Sequence, residues 1–322
     1  MADPRPPSGG RSSQFDQEYE EVTSVSAIPP TIEARRLAMP QSPSRATLTL
    51  VSGPNAGAIY PLLLDENVIG RTRDCTIRIE DPGISRRHAR IVRRGPDTYY
   101  LEDLGSRNGT FVRGNKITNQ LLGEGDRLAV GPSVEFRFGY TDEAEEGLLR
   151  RLYESSVLDA LTGAYNRKHF AERLASELAY AKRHKAPLSM MMFDLDYFKK
   201  VNDSLGHLGG DQVLRTVAAL VKRTLRAEDV FARYGGEEFA IIARGIDVEQ
   251  AWLFAERVRG MVEQAKIEFN GARVPVTVSI GVASLACIDE PSADGLIARA
   301  DERLYAAKRG GRNRSVGAAN RR

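Results

Sequence analysis

From Pro187 to Phe193 the chain is almost continuously apolar, and the run ends directly on two carboxylates, Asp194 and Asp196. Such a run reads as a strand buried on both of its faces. In open α/β sheets the ends of such strands are where ligands sit. A buried carboxylate is costly unless it is paired or bound to a cation, so Asp194 either caps a turn or faces a positive partner. A second acid pair stands at Gly235-Gly236-Glu237-Glu238-Phe239, ahead of another apolar run, Ala240-Ile241-Ile242-Ala243. Two adjacent glycines allow a tight turn that side chains would obstruct, so this stretch reads as a hairpin tip that holds two acids at a strand end.

The first half of the chain is patterned differently. Short alternating or apolar runs recur at Thr47–Val51, Val68–Gly70, Thr76–Ile79 and Ala89–Val92. Others follow at Tyr99–Leu101, Thr110–Val112, Arg127–Val130 and Val134–Phe138, with Gly, Pro, Asp and Asn between them. That pattern predicts an all-β sandwich over residues 46–140 with no long helix. Leu148, Leu149, Leu152, Tyr153 and Val157 then recur at helical spacing, which predicts a helix over residues 141–157. It is either a signalling helix that pairs between subunits or a plain spacer.

Residues 1–45 are rich in Pro, Ser, Gly and charge and poor in aromatics, a composition expected to be disordered. The length of 322 residues suits two domains and a tail. A net charge of +3 gives no sign of a nucleic-acid partner, and the basic stretch around Arg87, Arg90, Arg93 and Arg94 lacks an aromatic stacking platform. The two cysteines, Cys75 and Cys287, make no ligand pattern or disulfide framework. No apolar run reaches membrane-spanning length and no signal peptide is visible, so a cytoplasmic bacterial protein is expected.

The acid sites sit among further motifs in a fixed order. Asp159-Ala160-Leu161-Thr162-Gly163-Ala164-Tyr165-Asn166-Arg167 precedes them; Asn202-Asp203-Ser204-Leu205-Gly206-His207-Leu208-Gly209-Gly210-Asp211 lies between them. Ser279-Ile280-Gly281-Val282-Ala283, Ala300–Lys308 and Gly311-Arg312-Asn313 follow. Together they resemble the GGDEF family of diguanylate cyclases across roughly residues 157–315, with Ala164 standing where the family often has leucine. The resemblance implies a mixed sheet flanked by helices over residues 158–315, then a short tail, 316–322. It also implies condensation of two GTP molecules into cyclic di-GMP with release of two pyrophosphates, by a homodimer in which each domain holds one GTP.

The implied roles fit the chemistry of the residues. Two Mg²⁺ ions per site, or Mn²⁺, would be held by Asp194, the backbone carbonyl of Leu195 and Glu237, since hard cations prefer oxygen ligands. Glu237 or Glu238 would accept the hydroxyl proton; the sequence does not separate them. Asp211 could accept guanine N1–H and the exocyclic amine together, a pair adenine lacks, with Asn202 beside it and His207 lining the pocket. Lys199, Lys308 and Arg312 match the family's phosphate contacts. Arg226-Ala227-Glu228-Asp229 matches its RxxD inhibitory site for cyclic di-GMP, with Arg257 or Arg259 as a further contact. The alternatives are a receptor for GTP or cyclic di-GMP that has lost turnover, and a phosphothreonine-dependent scaffold.

Within residues 46–140, Gly70-Arg71, Ser85-Arg86-Arg87-His88 and Ser106-Arg107-Asn108-Gly109-Thr110 come in order. This set resembles a forkhead-associated (FHA) domain, which implies phosphothreonine-peptide binding by loops at one end of the sandwich. Arg71 would pair with the phosphate as a fork and Ser85 would donate a hydroxyl hydrogen bond. Arg86 and Ser106 would assist, Asn108 would hold the peptide backbone, and His88 would brace the loop from below. A Ser/Thr kinase is the implied partner. In the tail, the acids Asp16, Glu18, Glu20 and Glu21 ahead of Thr23 resemble the setting of the phosphorylated tail threonine of some small bacterial FHA proteins. The resemblance implies Thr23 as the phosphorylation site, docking in cis or on a partner chain, the alternative being an acidic tail that binds nothing. Thr31 is the other candidate. Neither a membrane nor a nucleic acid is expected as a partner.

Overall fold

The computed structural model describes residues 44–317 except Pro54 and Ala227. Almost all of the expected tail, including Thr23 and Thr31, lies outside the described residues, as do residues 318–322.

Eleven strands come first: β1 (Arg45–Ser52), β2 (Ile59–Pro61), β3 (Glu66–Gly70), β4 (Ile77–Arg78), β5 (Ala89–Gly95) and β6 (Thr98–Asp103), then β7 (Thr110–Val112), β8 (Asn115–Ile117), β9 (Asn119–Leu121), β10 (Arg127–Val130) and β11 (Val134–Thr141). They form a six-stranded sheet, β2-β1-β11-β10-β7-β8, and a five-stranded sheet, β4-β3-β5-β6-β9. Alternate residues of each sheet face the other. Leu48, Leu50, Leu128, Phe136 and Phe138 come from the first sheet and Ile69, Ile91, Tyr99 and Leu101 from the second, all in one core cluster. The expected sandwich is therefore present. The three strands that the sequence did not announce, β2, β8 and β9, are short edge strands without a fully buried residue. They have no inward apolar row to betray them.

Helix α1 (Glu143–Val157) follows, its first turn capped by the Asp142 side chain, which accepts from the Glu145 N–H. Beyond it lie α2 (Arg167–His184), β12 (Leu188–Leu195), α3 (Phe198–Lys222), β13 (Val230–Arg233), β14 (Glu238–Arg244) and α4 (Val248–Glu263). A small hairpin of β15 (Glu268–Phe269) and β16 (Ala272–Arg273), then β17 (Val278–Ser284), α5 (Ala293–Arg309) and β18 (Ser315–Val316), complete the unit. The main sheet runs β13-β14-β12-β17-β18, antiparallel except for the parallel β17–β18 pair.

Strand β12 is central and buried along its whole length, as its apolar run predicts. Met191, Phe193 and Leu195 belong to the core cluster that includes Val213, Val217 and Val258 from α3 and α4. Met190 and Met192 belong to the cluster that includes Phe170, Leu174, Ala300 and Leu304 from α2 and α5. Gly281 lets α5 lie directly on β17: a Cβ there would overlap the Ala300 carbonyl and the Leu304 nitrogen. Near the acid end of the sheet, Phe193, Phe231 and Phe239 stack across three neighbouring strands with ring centroids 5.3–6.2 Å apart. Removing one such buried ring costs about 3–5 kcal/mol, so this stack fixes the strand register just where the acids emerge.

The sandwich and the α/β layers belong to one unit from Pro43 onward. Tyr153 of α1 lies close to Gly57, and α1 leaves Leu148 and Leu152 exposed at 51% and 56%. Burial pushes the Glu80 carboxyl of the sandwich upward against the pull of Arg78, Arg173 and Arg244, the last two from α2 and β14.

Candidate functional site

The register of β12 against β14 sets Asp194 opposite Glu238, and the Leu195 N–H donates to the Glu237 carbonyl at 3.3 Å. Asp194, Leu195 and Glu237, distant in sequence, thus meet at one end of the sheet. Lys308, in the last turn of α5, pairs with Asp194 at 2.8 Å. Burial pushes the Asp194 carboxyl up to about 6 despite Lys308, and Glu237 and Glu238 push the same way. A carboxylate so placed favours added positive charge. No cluster of three or more His, Cys, Asp or Glu side chains able to hold a metal occurs among the described residues. The donor set here is instead two carboxylates and a main-chain carbonyl, all hard oxygens, which fits a divalent cation such as Mg²⁺.

Asp196, two residues on, is engaged in structure. It accepts from Ser279 Oγ (2.7 Å), Thr277 Oγ1 (2.8 Å) and the Asn313 N–H (3.0 Å). It therefore ties the acid loop to β17 and to the closing turn that carries Arg312. Tyr197 follows in a left-handed conformation (φ 57°), with Lys200 4.6 Å from its ring on one contact and Arg312 at 4.5 Å on another. These cation–π contacts hold two positive groups beside the site. Lys199 is exposed in the first turn of α3.

Helix α3 is broken at Gly206 (φ 70°, ψ 173°). The break folds its first segment against its second, and the Asn202 side-chain oxygen sits so close to Gly210 that any Cβ there would collide with it. Asn202 is thereby set against the residue that precedes Asp211, on the other side of the kink, and His207, next to Gly206, is exposed.

The acid turn is bent from Gly235 to Glu237 between β13 and β14. Neither glycine has positive φ among the described residues, so the turn does not need glycine for its dihedrals. What Gly235 provides is room: a Cβ would stand 2.6 Å from Glu238 Oε2, whose carboxylate folds back under the turn. Arg233 clasps the tip by donating to the Gly236 carbonyl from Nε (2.9 Å) and Nη2 (2.6 Å), and pairs with Asp159 at 3.2 Å. Although burial pushes the Asp159 carboxyl up, Thr162 and Arg233 outweigh it and hold it low. Arg233 belongs to none of the motifs singled out in the sequence; its only local signal is that it is a lone arginine closing the otherwise apolar strand β13.

At the start of β13, the end away from the acid turn, Arg226, Asp229 and Arg257 line one cleft of about 220 Å³ with Phe254. Asp229 Oδ2 accepts from the Arg226 N–H at 2.8 Å, and the Arg257 guanidinium lies 4.8 Å over the Phe254 ring. Arg259, the alternative, is bound to Glu256, Glu263 and Asn313 instead.

At the loop end of the sandwich, Arg71, Ser85 and Arg86 line a cavity of about 810 Å³. Ser85 Oγ accepts from the Arg107 N–H at 3.1 Å, which leaves its own hydrogen to donate. Ser106 and Asn108 are turned to the loops themselves. Ser106 Oγ donates to Asp103 (2.6 Å) and accepts from the Gly109 N–H, while Asn108 Nδ2 donates to the Gly83 carbonyl (2.7 Å). His88 is buried beneath, with Nδ1 accepting from the Ser85 N–H and Nε2 at 3.1 Å from the Gly109 carbonyl.

Comparison with known proteins follows this division. Residues 156–314 match the family profile described as diguanylate cyclase, GGDEF domain, and residues 67–131 match the FHA domain profile. The chain is 35% identical over 231 residues to Diguanylate cyclase A of Treponema denticola, across 66% of this chain and 61% of that protein. It is 40% identical over 182 residues to Response regulator PleD of Caulobacter vibrioides, across 56% of this chain and 40% of that protein. The chain thus spans about half the length of the curated relatives it matches. Among solved structures, the coiled coil and GGDEF domain of DgcB from Caulobacter crescentus, in complex with c-di-GMP, is 33% identical with a TM-score of 0.50, covering 54% of this chain and 92% of that one.

Proposed function

Because this chain belongs to the GGDEF family of diguanylate cyclases and carries an FHA domain ahead of that part, we propose that it condenses two GTP molecules into cyclic di-GMP under phosphothreonine control. The observation that carries this reading is the meeting of Asp194, Leu195 and Glu237 at one sheet end with Lys308 against them. Asp211 and Asn202 bind the guanine edge; a carboxylate that accepts two adjacent N–H groups selects guanine over adenine. Lys199, Lys308 and Arg312 hold the triphosphate and offset the negative charge that develops there. Mg²⁺ held by Asp194, the Leu195 carbonyl and Glu237 would neutralise phosphate charge and acidify the attacking hydroxyl.

The 3′-oxygen of each GTP bonds to the α-phosphorus of the other, and the bond to the β-phosphate breaks, releasing pyrophosphate. Glu237 takes the hydroxyl proton; Glu238, folded under Gly235, is the weaker candidate. Two chains must face each other, so the active form is a homodimer. The cleft of Arg226, Asp229 and Arg257 supports product binding, since forked guanidinium groups suit phosphodiesters. A Ser/Thr kinase acting on Thr23 or on a partner supplies the phosphothreonine. No helix among the described residues is long and apolar enough to cross a membrane, and we place the protein in the cytoplasm.

The test is product formation from GTP and Mg²⁺ by wild type and Glu237→Gln, both freed of bound cyclic di-GMP. Product from the wild type alone is expected. If a phosphorylated wild-type dimer makes none, the chain is a receptor rather than an enzyme.

A further inference from the structure

The cavity at the sandwich loops is not built by the sandwich alone. Its wall includes Tyr180 and His184, which lie one turn apart on α2 of the α/β unit. The remaining wall is cationic: Arg71, Arg86 and Arg107 pair with no carboxylate among the described residues, and Asp74, the acid on the rim, is met by Arg87 at 3.5 Å. Three exposed guanidiniums gathered on one wall, with no carboxylate paired to them among the described residues, favour an anion. At about 810 Å³, the cavity holds much more than a phosphate group.

The α2 wall is fixed in place. The Tyr180 and His184 rings lie 4.3 Å apart at 37°, and Arg244 sits 5.2 Å over the Tyr180 ring. Arg244 is in turn bonded through Nε to Glu177 at 2.6 Å. An aromatic pair held this way presents contact area at little further loss of conformational freedom. The last turn of α2 also carries Lys182 and Arg183, which lie outside the cavity wall but add positive charge to the end of the helix that His184 occupies.

We propose that this cavity is a two-domain binding site for an acidic phosphothreonine peptide. Arg71, Ser85 and Arg86 hold the phosphate, while Tyr180 and His184 hold the peptide beside it. A bound peptide therefore clamps the sandwich to α2, so the α/β unit takes part in reading the signal. This rests on the phosphothreonine reading of the sandwich given above. The segment Asp16–Val25, with four acids ahead of Thr23, has the required chemistry.

The test is fluorescence anisotropy with a labelled peptide of residues 14–28 carrying phospho-Thr23, against the phosphatase-treated full chain. Wild type should bind the phosphorylated peptide and not its unphosphorylated form. Arg71→Ala should abolish binding. Tyr180→Ala and His184→Ala should each weaken it by about tenfold, as loss of an anchoring aromatic does, while Tyr180→Phe stays near wild type. Unchanged melting temperatures show that the α2 variants fold. Hydrogen exchange should show peptide-induced protection at both Ser85–Arg87 and Tyr180–His184. If Arg71→Ala fails to bind but the α2 variants bind as wild type does, the two-domain site is wrong and the phosphothreonine reading stands. If wild type does not bind, or Arg71→Ala binds as tightly, both fall.

Discussion

His88 shows how one buried side chain can set the behaviour of a loop. Its Nδ1 accepts from the Ser85 N–H, so the ring is neutral with its proton on Nε2, donating to the Gly109 carbonyl. Burial lowers its tendency to take a second proton, against the opposing pull of Gly109 and Asp103. A histidine kept neutral in the fold contributes stability that is whole above its unfolded value near 6.5 and is lost as pH falls below it, because the unfolded chain then binds the proton. The loss can approach about 1.4 kcal/mol per pH unit for one proton. Melting of the wild type between pH 7.5 and 5.5 should fall more steeply than that of His88→Gln. Equal slopes would show that His88 is not the titrating group. The role of His88 was legible in its position after Ser-Arg-Arg. The inward turn of Ser106 and Asn108 was not, since it depends on where Asp103 and Gly83 lie in the folded loops.

At the scale of elements, the acid hairpin is held by residues from outside it. Arg233 grips the Gly236 carbonyl and reaches Asp159 across 74 positions of sequence. Arg233→Ala should leave the sheet folded, since the Phe193, Phe231 and Phe239 stack remains, but loosen the tip that presents Glu237. A misplacement of about 1 Å can cost up to about a hundredfold in rate. Steady-state kinetics should show kcat reduced with far-UV circular dichroism unchanged; an unaltered kcat would mean that the turn holds itself. The strands beside this hairpin were readable because β12 and β14 are apolar along their lengths. Their pairing, and the Arg233–Asp159 bond, were not readable from the residues themselves, because a long-range ion pair leaves no local period. The edge strands β2, β8 and β9 were missed for the opposite reason: they bury too little to carry a pattern.

On the scale of the molecule, the proposed reaction needs two chains, and α1 offers Leu148 and Leu152 on its open face. Pairing of these faces would bury apolar surface now in water. Wild-type activity per chain should therefore rise with protein concentration, and Leu148→Glu with Leu152→Glu should flatten that rise while nucleotide binding persists. A double variant that assembles and turns over like wild type would exclude α1 as the pairing surface. The helical period of α1 was plain in the sequence, whereas the docking of α2 against the sandwich loops was not, because it joins two domains whose own patterns are complete without it. The closing turn adds a matter of timing. Asp196 receives the Asn313 N–H from 117 residues further along the chain, and Arg312 stands beside it. At a synthesis rate of about 5–20 residues per second, that stretch takes roughly 6–23 seconds to make after Asp196 leaves the ribosome's active centre. Throughout that interval the nascent chain holds the acid loop without its brace or its last cation, and a chain cut short before Arg312 would keep every carboxylate of the site yet never close it.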